Sequence, residues 1–145
     1  MKKLFTKICI ASDHAGYDLK QKIKDFLINK SISIIDLGPF SENSVDYPDY
    51  AKKVAKRLIL RKSDAGILVC GSGTGMSITA NKFKGIRAAQ CYNKNNTILS
   101  RQHNNSNIIC LGSRMLKYKE AFKYVTYFLN TKFEGGRHQK RINKI

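Results

Sequence analysis

Apolar and polar positions alternate along this chain in two periods. Lys7 to Ser12 is an apolar run that predicts a first strand, and Asp13-His14-Ala15-Gly16 predicts a turn after it. From Tyr17 to Lys30, Leu19, Ile23, Phe26 and Leu27 recur at helical spacing, with Asp18 near the start where the helix dipole favours an acid. Ser33 to Leu37 predicts a second strand, broken by Gly38-Pro39 before a polar loop to Asp46. Tyr47-Pro48 opens another helix, lined on its inner face by Ala51, Val54, Ala55 and Leu58. Ala65 to Cys70 reads as a third strand, then Gly71, Gly73 and Gly75 lead into a helical pattern reaching Asn81, and Gly85 is expected to end a helix. Arg87 to Cys91, a short helix from Asn93 to about Arg101, Ile108 to Leu111 and a last helix from Tyr118 to Asn130 continue the alternation. Strands alternating with helices imply an α/β fold, a Rossmann-like three-layer α/β/α sandwich on a five-stranded parallel sheet.

The stretch from Asp64 to Asn81 carries the densest chemical signal. Alternating glycines let a backbone turn sharply and leave amide N–H groups uncovered, so an anion is the natural guest of this strand-to-helix turn. The same turn also serves close packing, and many cysteines are small buried apolar residues. Two nucleotide motifs fit poorly. Met76 follows Gly75 where the Walker pattern has a lysine, and the dinucleotide fingerprint wants its third glycine one place later and an acid about 20 residues on. Cys70 sits at the carboxyl end of its strand, as do Asp13-His14, Cys91-Tyr92 and Gly112 to Arg114, and open parallel sheets bind ligands at that edge. Singly, each polar group has a bland explanation, as a helix cap, a loop tie or a surface ion pair; their convergence on one edge favours a site.

At 145 residues the chain reads as one domain, 1–145. Lys2, Lys3, Thr6 and Lys7 leave no apolar export core, and no stretch approaches about 20 apolar residues, so a membrane role is excluded and a cytoplasmic protein is expected. The four cysteines lack paired spacing, so reduced thiols are expected rather than a disulfide frame. The net charge of +17 suits nucleic acid, but the lysines, Lys20 among them, scatter over predicted solvent faces without interleaved stacking aromatics. No nucleic-acid partner is expected, although the field would draw a phosphorylated metabolite.

Several segments, in this order, resemble the type B ribose-5-phosphate isomerases. They are Ser12-Asp13-His14-Ala15-Gly16, Asp46-Tyr47-Pro48, Cys70-Gly71-Ser72-Gly73, Ala80-Asn81-Lys82, Ser100-Arg101-Gln102-His103-Asn104, Gly112-Ser113-Arg114 and Glu134-Gly135-Gly136-Arg137-His138. The resemblance covers nearly the whole chain. It implies an aldose-ketose isomerase acting through an enediolate on ribose 5-phosphate, with galactose 6-phosphate and allose 6-phosphate as the alternatives within the family. A nucleotide-binding module on the same fold is the non-enzymatic alternative.

The resemblance also implies roles. The base position falls on Cys70; some relatives use a glutamate just past the loop, where this chain has Met76. Gly71, Gly73, Thr74 and Gly75 would offer amides to the enediolate, Ser72 a proton-relaying hydroxyl, His103 the ring-opening acid and base, Asp13 a catalytic contact to the sugar hydroxyls or to the ring oxygen, and Asn104 a contact to sugar hydroxyls. His14, Arg137 and Arg141 match the phosphate-gripping positions, with Arg114 a further candidate. Arg137 and Arg141 sit four apart and share a face if the tail is helical, whereas a frayed basic tail is the alternative, and the residues from Lys140 onward are expected to be partly disordered. A pocket shared between two copies implies a homodimer, with a dimer of dimers also open, and the extension from about residue 131 contributing to site or dimer. His14, His103, His138 and the cysteines show no zinc spacing, and proton transfer needs no cofactor, so neither metal nor cofactor is expected.

Overall fold

A computed structural model describes residues 3–145. The elements alternate as the periodicity predicts: β1 (Ile8–Ser12), α1 (Tyr17–Asn29), β2 (Ile34–Asp36), α2 (Tyr47–Ile59), β3 (Ala65–Cys70), α3 (Thr74–Ala80), β4 (Ala88–Gln90), α4 (Lys94–Gln102), β5 (Ile108–Gly112), α5 (Tyr118–Asn130) and α6 (Arg137–Ile142). All strand pairs are parallel, in the order β2-β1-β3-β5-β4, so the chain forms the expected five-stranded Rossmann-like sandwich.

Side chains of the central strands alternate between two cores. Ile8, Ile10, Ile67, Val69, Ile109 and Leu111 pack against Leu19, Ile23 and Leu27 of α1 and Ala121, Val125 and Phe128 of α5. Cys9, Ala11, Leu68, Cys70 and Cys110 face Ala51, Val54 and Ala55 of α2 and Met76 and Ala80 of α3. Burial on both faces is why these strands read as unbroken apolar runs rather than alternating ones.

The departures from expectation lie at edges and ends. Edge strands β2 and β4 are shorter than Ser33 to Leu37 and Arg87 to Cys91, because each has a ladder on one side only. The third helix stops at Ala80, well before Gly85. The Asn81 side chain there donates to Ala88 O at 2.9 Å and accepts from Ala88 N at 2.8 Å, drawing the chain out of the helix and into β4. The tail is not frayed at Lys140: α6 continues to Ile142, with His138 buried beneath it. Lys20, expected in solvent, is fully buried. Its Nζ donates to both Asp36 carboxylate oxygens, at 2.8 and 2.7 Å, and to Pro39 O at 2.9 Å.

Candidate active site

The chain leaves β1 for β2 on one side and returns to build β3 on the other. The carboxyl ends of β1 and β3 therefore flank the point where strand order reverses, the place where open α/β sheets bind their ligands. The two strand ends are tied together: Asp13 N donates to Val69 O at 3.1 Å, and Asp13 Oδ1 accepts from Gly16 N at 2.9 Å. Gly16 is required at this crossing, since a Cβ there would lie 2.4 Å from Val69 O. The exposed His14 has its Nδ1 3.2 Å from both N and O of Val45, so the loop before α2 sets its ring. Lys20 steadies the same region from below, through Pro39 O and through Asp36, which accepts from Gly38 N at 2.9 Å. Ser12 N in turn donates to Gly38 O at 3.1 Å.

Cys70 ends β3 with its side chain directed toward α2 and α3, and only 4% of the residue is exposed. Gly73, at φ +80°, turns the loop back so that its N–H donates to Cys70 Sγ at 3.1 Å. Gln90, at the carboxyl end of β4, holds the loop by donating to Ser72 O and to Thr74 Oγ1, each at 3.0 Å. Thr74 N donates to Ser72 Oγ at 3.2 Å. Arg114 N donates to Gly71 O at 3.0 Å, and its guanidinium covers Gly71, where a Cβ would meet Nη1 at 3.0 Å. The Tyr47 ring lies closer still over Gly75, where a Cβ would meet Cε2 at 2.5 Å. Sulfur and loop amides thus meet at the carboxyl end of β3, with the Arg114 side chain lying over Gly71. Burial pushes the other thiols up, Cys9 and Cys91 to about 11 and Cys110 higher still, which keeps them protonated at neutral pH as packing groups.

The remaining candidates lie at the opposite end of the sheet. Helix α4 starts beyond the carboxyl end of β4 and runs back about 13 Å, at 1.5 Å per residue, to end at Gln102 with His103 as its C-cap. Asn104 O accepts from Arg87 Nε at 3.0 Å, and Arg87 immediately precedes β4, so His103 and Asn104 sit at the amino edge. Along β5 that edge is roughly 13 Å from the level of Cys70, four steps of about 3.3 Å. The tail joins them: Glu134 N donates to Gln102 O at 3.1 Å, and the His138 ring stacks on His103 with centroids 4.2 Å apart. Arg137 and Arg141 lie one turn apart on α6, exposed. His138 is held below the ordinary imidazole value, first by desolvation and then by the nearby His103 and Arg137. One chain therefore gathers Asp13, His14, Cys70 to Gly75 and Arg114 at one edge, and His103, Asn104, Arg137 and Arg141 at the other.

Sequence reasoning missed several residues that hold this arrangement. Arg101 is buried beneath the amino-edge loop, donating to Ser106 O at 2.6 Å, Asn105 Oδ1 at 2.9 Å and Thr131 O at 3.1 Å, so one guanidinium fixes both the His103 loop and the start of the tail. Gln90 could have been found by the strand-end rule that found Cys70. Tyr47 lies in a motif quoted for the resemblance, but nothing in its spacing placed it over Gly75.

Fold and strand-end residues together define a class: a Rossmann-like α/β protein with sulfur and polar side chains gathered at the topological switch point. Among solved structures, a ribose 5-phosphate isomerase from Thermotoga maritima superimposes with a TM-score of 0.94 at 52% identity, covering 96% of each chain. A ribose-5-phosphate isomerase B from Mycoplasma genitalium, with bound ribulose-5-phosphate, gives 0.89 at 46% identity over 95% of this chain and 92% of that one. Ribose-5-phosphate isomerase B of Escherichia coli is 43% identical over 139 residues, 96% of this chain and 93% of the relative. The Ribose/Galactose Isomerase family model matches residues 8–145, and the chain belongs to that family. Among the described residues, no helix is long and apolar enough to cross a membrane.

Proposed function

We propose that this chain is an aldose-ketose isomerase that interconverts ribose 5-phosphate and ribulose 5-phosphate through an enediolate. The observation that carries the reading is the Gly73 amide on Cys70 Sγ at 3.1 Å, at the head of a glycine loop beside Arg114. The reaction takes a proton from C2 of the open-chain sugar and returns one to C1. Cys70, as thiolate, is the base. The negative charge that develops on the substrate oxygens is met by backbone amides of the loop through Gly71, Gly73, Thr74 and Gly75, of which the Gly73 and Thr74 N–H groups rest on Cys70 Sγ and Ser72 Oγ until substrate arrives; losing one such donor typically costs about 3 kcal/mol in the barrier. Ser72 relays the proton between O1 and O2. Each step is a proton transfer, so the reading requires neither metal nor cofactor.

Ring opening and the phosphate grip fall to residues at both edges. His103 protonates the ring oxygen. Asp13 and Asn104 bind sugar hydroxyls, and His14, Arg114, Arg137 and Arg141 hold the phosphate dianion, arginine forks matching its oxygens in pairs. The split between edges supports a composite pocket in a homodimer, each copy's carboxyl edge meeting the other's amino edge, so that a two-fold axis generates two equivalent sites. The segment from residue 131 onward then serves the partner's pocket, and a dimer of dimers repeats the arrangement. A coupled assay with ribose 5-phosphate, galactose 6-phosphate and allose 6-phosphate tests the reading. Turnover of the pentose is expected; turnover of a hexose alone overturns the substrate, and turnover of none overturns the reaction.

A further inference from the structure

The amino edge brings together three donors from two segments far apart in sequence. One ring nitrogen each of His103 and His138 and a carboxylate oxygen of Glu134 all lie within 4.8 Å of one another. Their placement is built from the backbone up. His103 is fixed as the cap of α4, and Glu134 is tethered to the last residue of that helix by its amide on Gln102 O. Gly135 and Gly136, at φ +68° and +54°, reverse the chain so that α6 begins by turning His138 back onto His103, with His138 N donating to Gly135 O at 3.0 Å. The His138 side chain is buried in this fold-back while Glu134 stays exposed and free to move.

Two imidazoles and one carboxylate are a donor set suited to zinc, with a fourth position left to water or another ligand. We propose that His103, Glu134 and His138 bind a first-row divalent cation of the zinc type, and that the ion switches the enzyme off. Tetrahedral zinc with bonds of about 2.0–2.1 Å spaces its donor atoms roughly 3.4 Å apart, so the present cluster has to close by at most about 1.4 Å. The imidazoles, now nearly parallel at 14°, also have to swing out of their stack, because in-plane lone pairs on parallel rings do not converge on one point. The site therefore requires side-chain rotations of His103 and Glu134. The carbonyl end of α4 and the Glu134 carboxylate attract the cation, whereas Arg137 and Arg141 on α6 repel it. The balance makes an acquired, reversible site rather than a structural zinc centre.

The inhibitory half rests on the proposed role of His103: a lone pair given to zinc is not available for ring opening, and the reaction itself needs no metal. The binding half does not rest on it. Isothermal titration of the full chain with zinc chloride, without sugar, is expected to show one ion per chain. Affinity falls about tenfold or more in Glu134→Gln and in His138→Ala, and is unchanged in Cys70→Ala. Glu134→Gln replaces an exposed carboxylate by its isostere, so it reads the site even if His138→Ala disturbs α6. Absence of binding, binding indifferent to Glu134→Gln, or loss with Cys70→Ala overturns the site, the last by assigning the metal to sulfur. In the ribose 5-phosphate assay, wild type is inhibited by zinc and recovers on chelation. Glu134→Gln, with inhibition read as a fraction of its own zinc-free turnover, needs about tenfold more zinc. Equal zinc sensitivity of the two overturns the inhibitory role. A chain that binds zinc as described yet turns over no sugar retains the site and refutes the isomerase reading instead.

Discussion

Mixing two inactive variants tests whether the pocket is shared between copies. In the proposed mechanism Cys70→Ala removes the base at one edge and His103→Ala the ring-opening acid at the other, and each alone is expected to lower turnover by about 100-fold or more. The two positions are separated by roughly 13 Å along the sheet of one chain, more than an open five-carbon sugar phosphate can bridge while its carbonyl sits at the thiol. If each pocket combines the carboxyl edge of one copy with the amino edge of another, a mixed dimer has one pocket carrying both lesions and one pocket carrying neither. Random reassortment of equal amounts makes about half of the dimers mixed, and half of their pockets intact, so activity returns to about one quarter of wild type. The assay is coupled turnover of ribose 5-phosphate after co-expression of differently tagged variants, with the mixed species isolated by sequential affinity steps. Purified mixed dimers are then expected at about half of wild-type activity. Mixed dimers no more active than either parent would refute the shared pocket.

Three further outcomes follow from contacts at the carboxyl edge. Gly16→Ala drives a Cβ to within 2.4 Å of Val69 O, so the β1 loop must shift; a loss of about 1–3 kcal/mol in urea unfolding is expected. Gln90→Ala frees the loop at Ser72 and Thr74 without touching the core, and is expected to lower kcat about tenfold with an unchanged circular dichroism spectrum. Burial alone would raise the Asp36 pKa, but Lys20, Gly38 N and Lys24 outweigh it and hold the carboxyl below its ordinary 3.8. That contribution to stability is complete above the ordinary value and is lost as pH falls through the lower folded-state value. Lys20→Met, which leaves the half-buried carboxylate with fewer partners, is expected to cost about 3 kcal/mol at neutral pH and less once Asp36 is protonated, as acid-dependent urea titrations would show.

What the sequence disclosed, and what it hid, follows the range of the interactions. Periodicity located β3 and α5 to the residue because both are flanked by strong breaks, Ser63-Asp64 and the glycine loop for one, Lys117 and Thr131 for the other. The ends of β2, α3 and β4 were misread because they are set by partners elsewhere, such as Asn81 bridging to Ala88. Asp13, Cys70, the glycines and Arg114 were legible because a strand-end rule sends them to one edge whatever the side-chain packing. His103 was legible as a residue but not as a place: reading α4 as a return helix puts it at the far edge. Lys20 was read as a solvent lysine because its partner, Asp36, lies on the next strand, a pairing no helical pattern reveals. The His103, Glu134 and His138 cluster was hidden for the same reason, since two positive-φ glycines and a fold-back create it.

Hydrogen transfer at C2 of the substrate gives the most direct measurement. With ribose 5-phosphate deuterated at C2, wild type is expected to show a primary isotope effect and to release label to solvent, followed by NMR. Cys70→Ala is expected to bind the sugar phosphate within a few-fold of wild type yet release label about 100-fold more slowly or worse. Label leaving C2 at close to the wild-type rate in that variant would contradict the assignment of the sulfur as base.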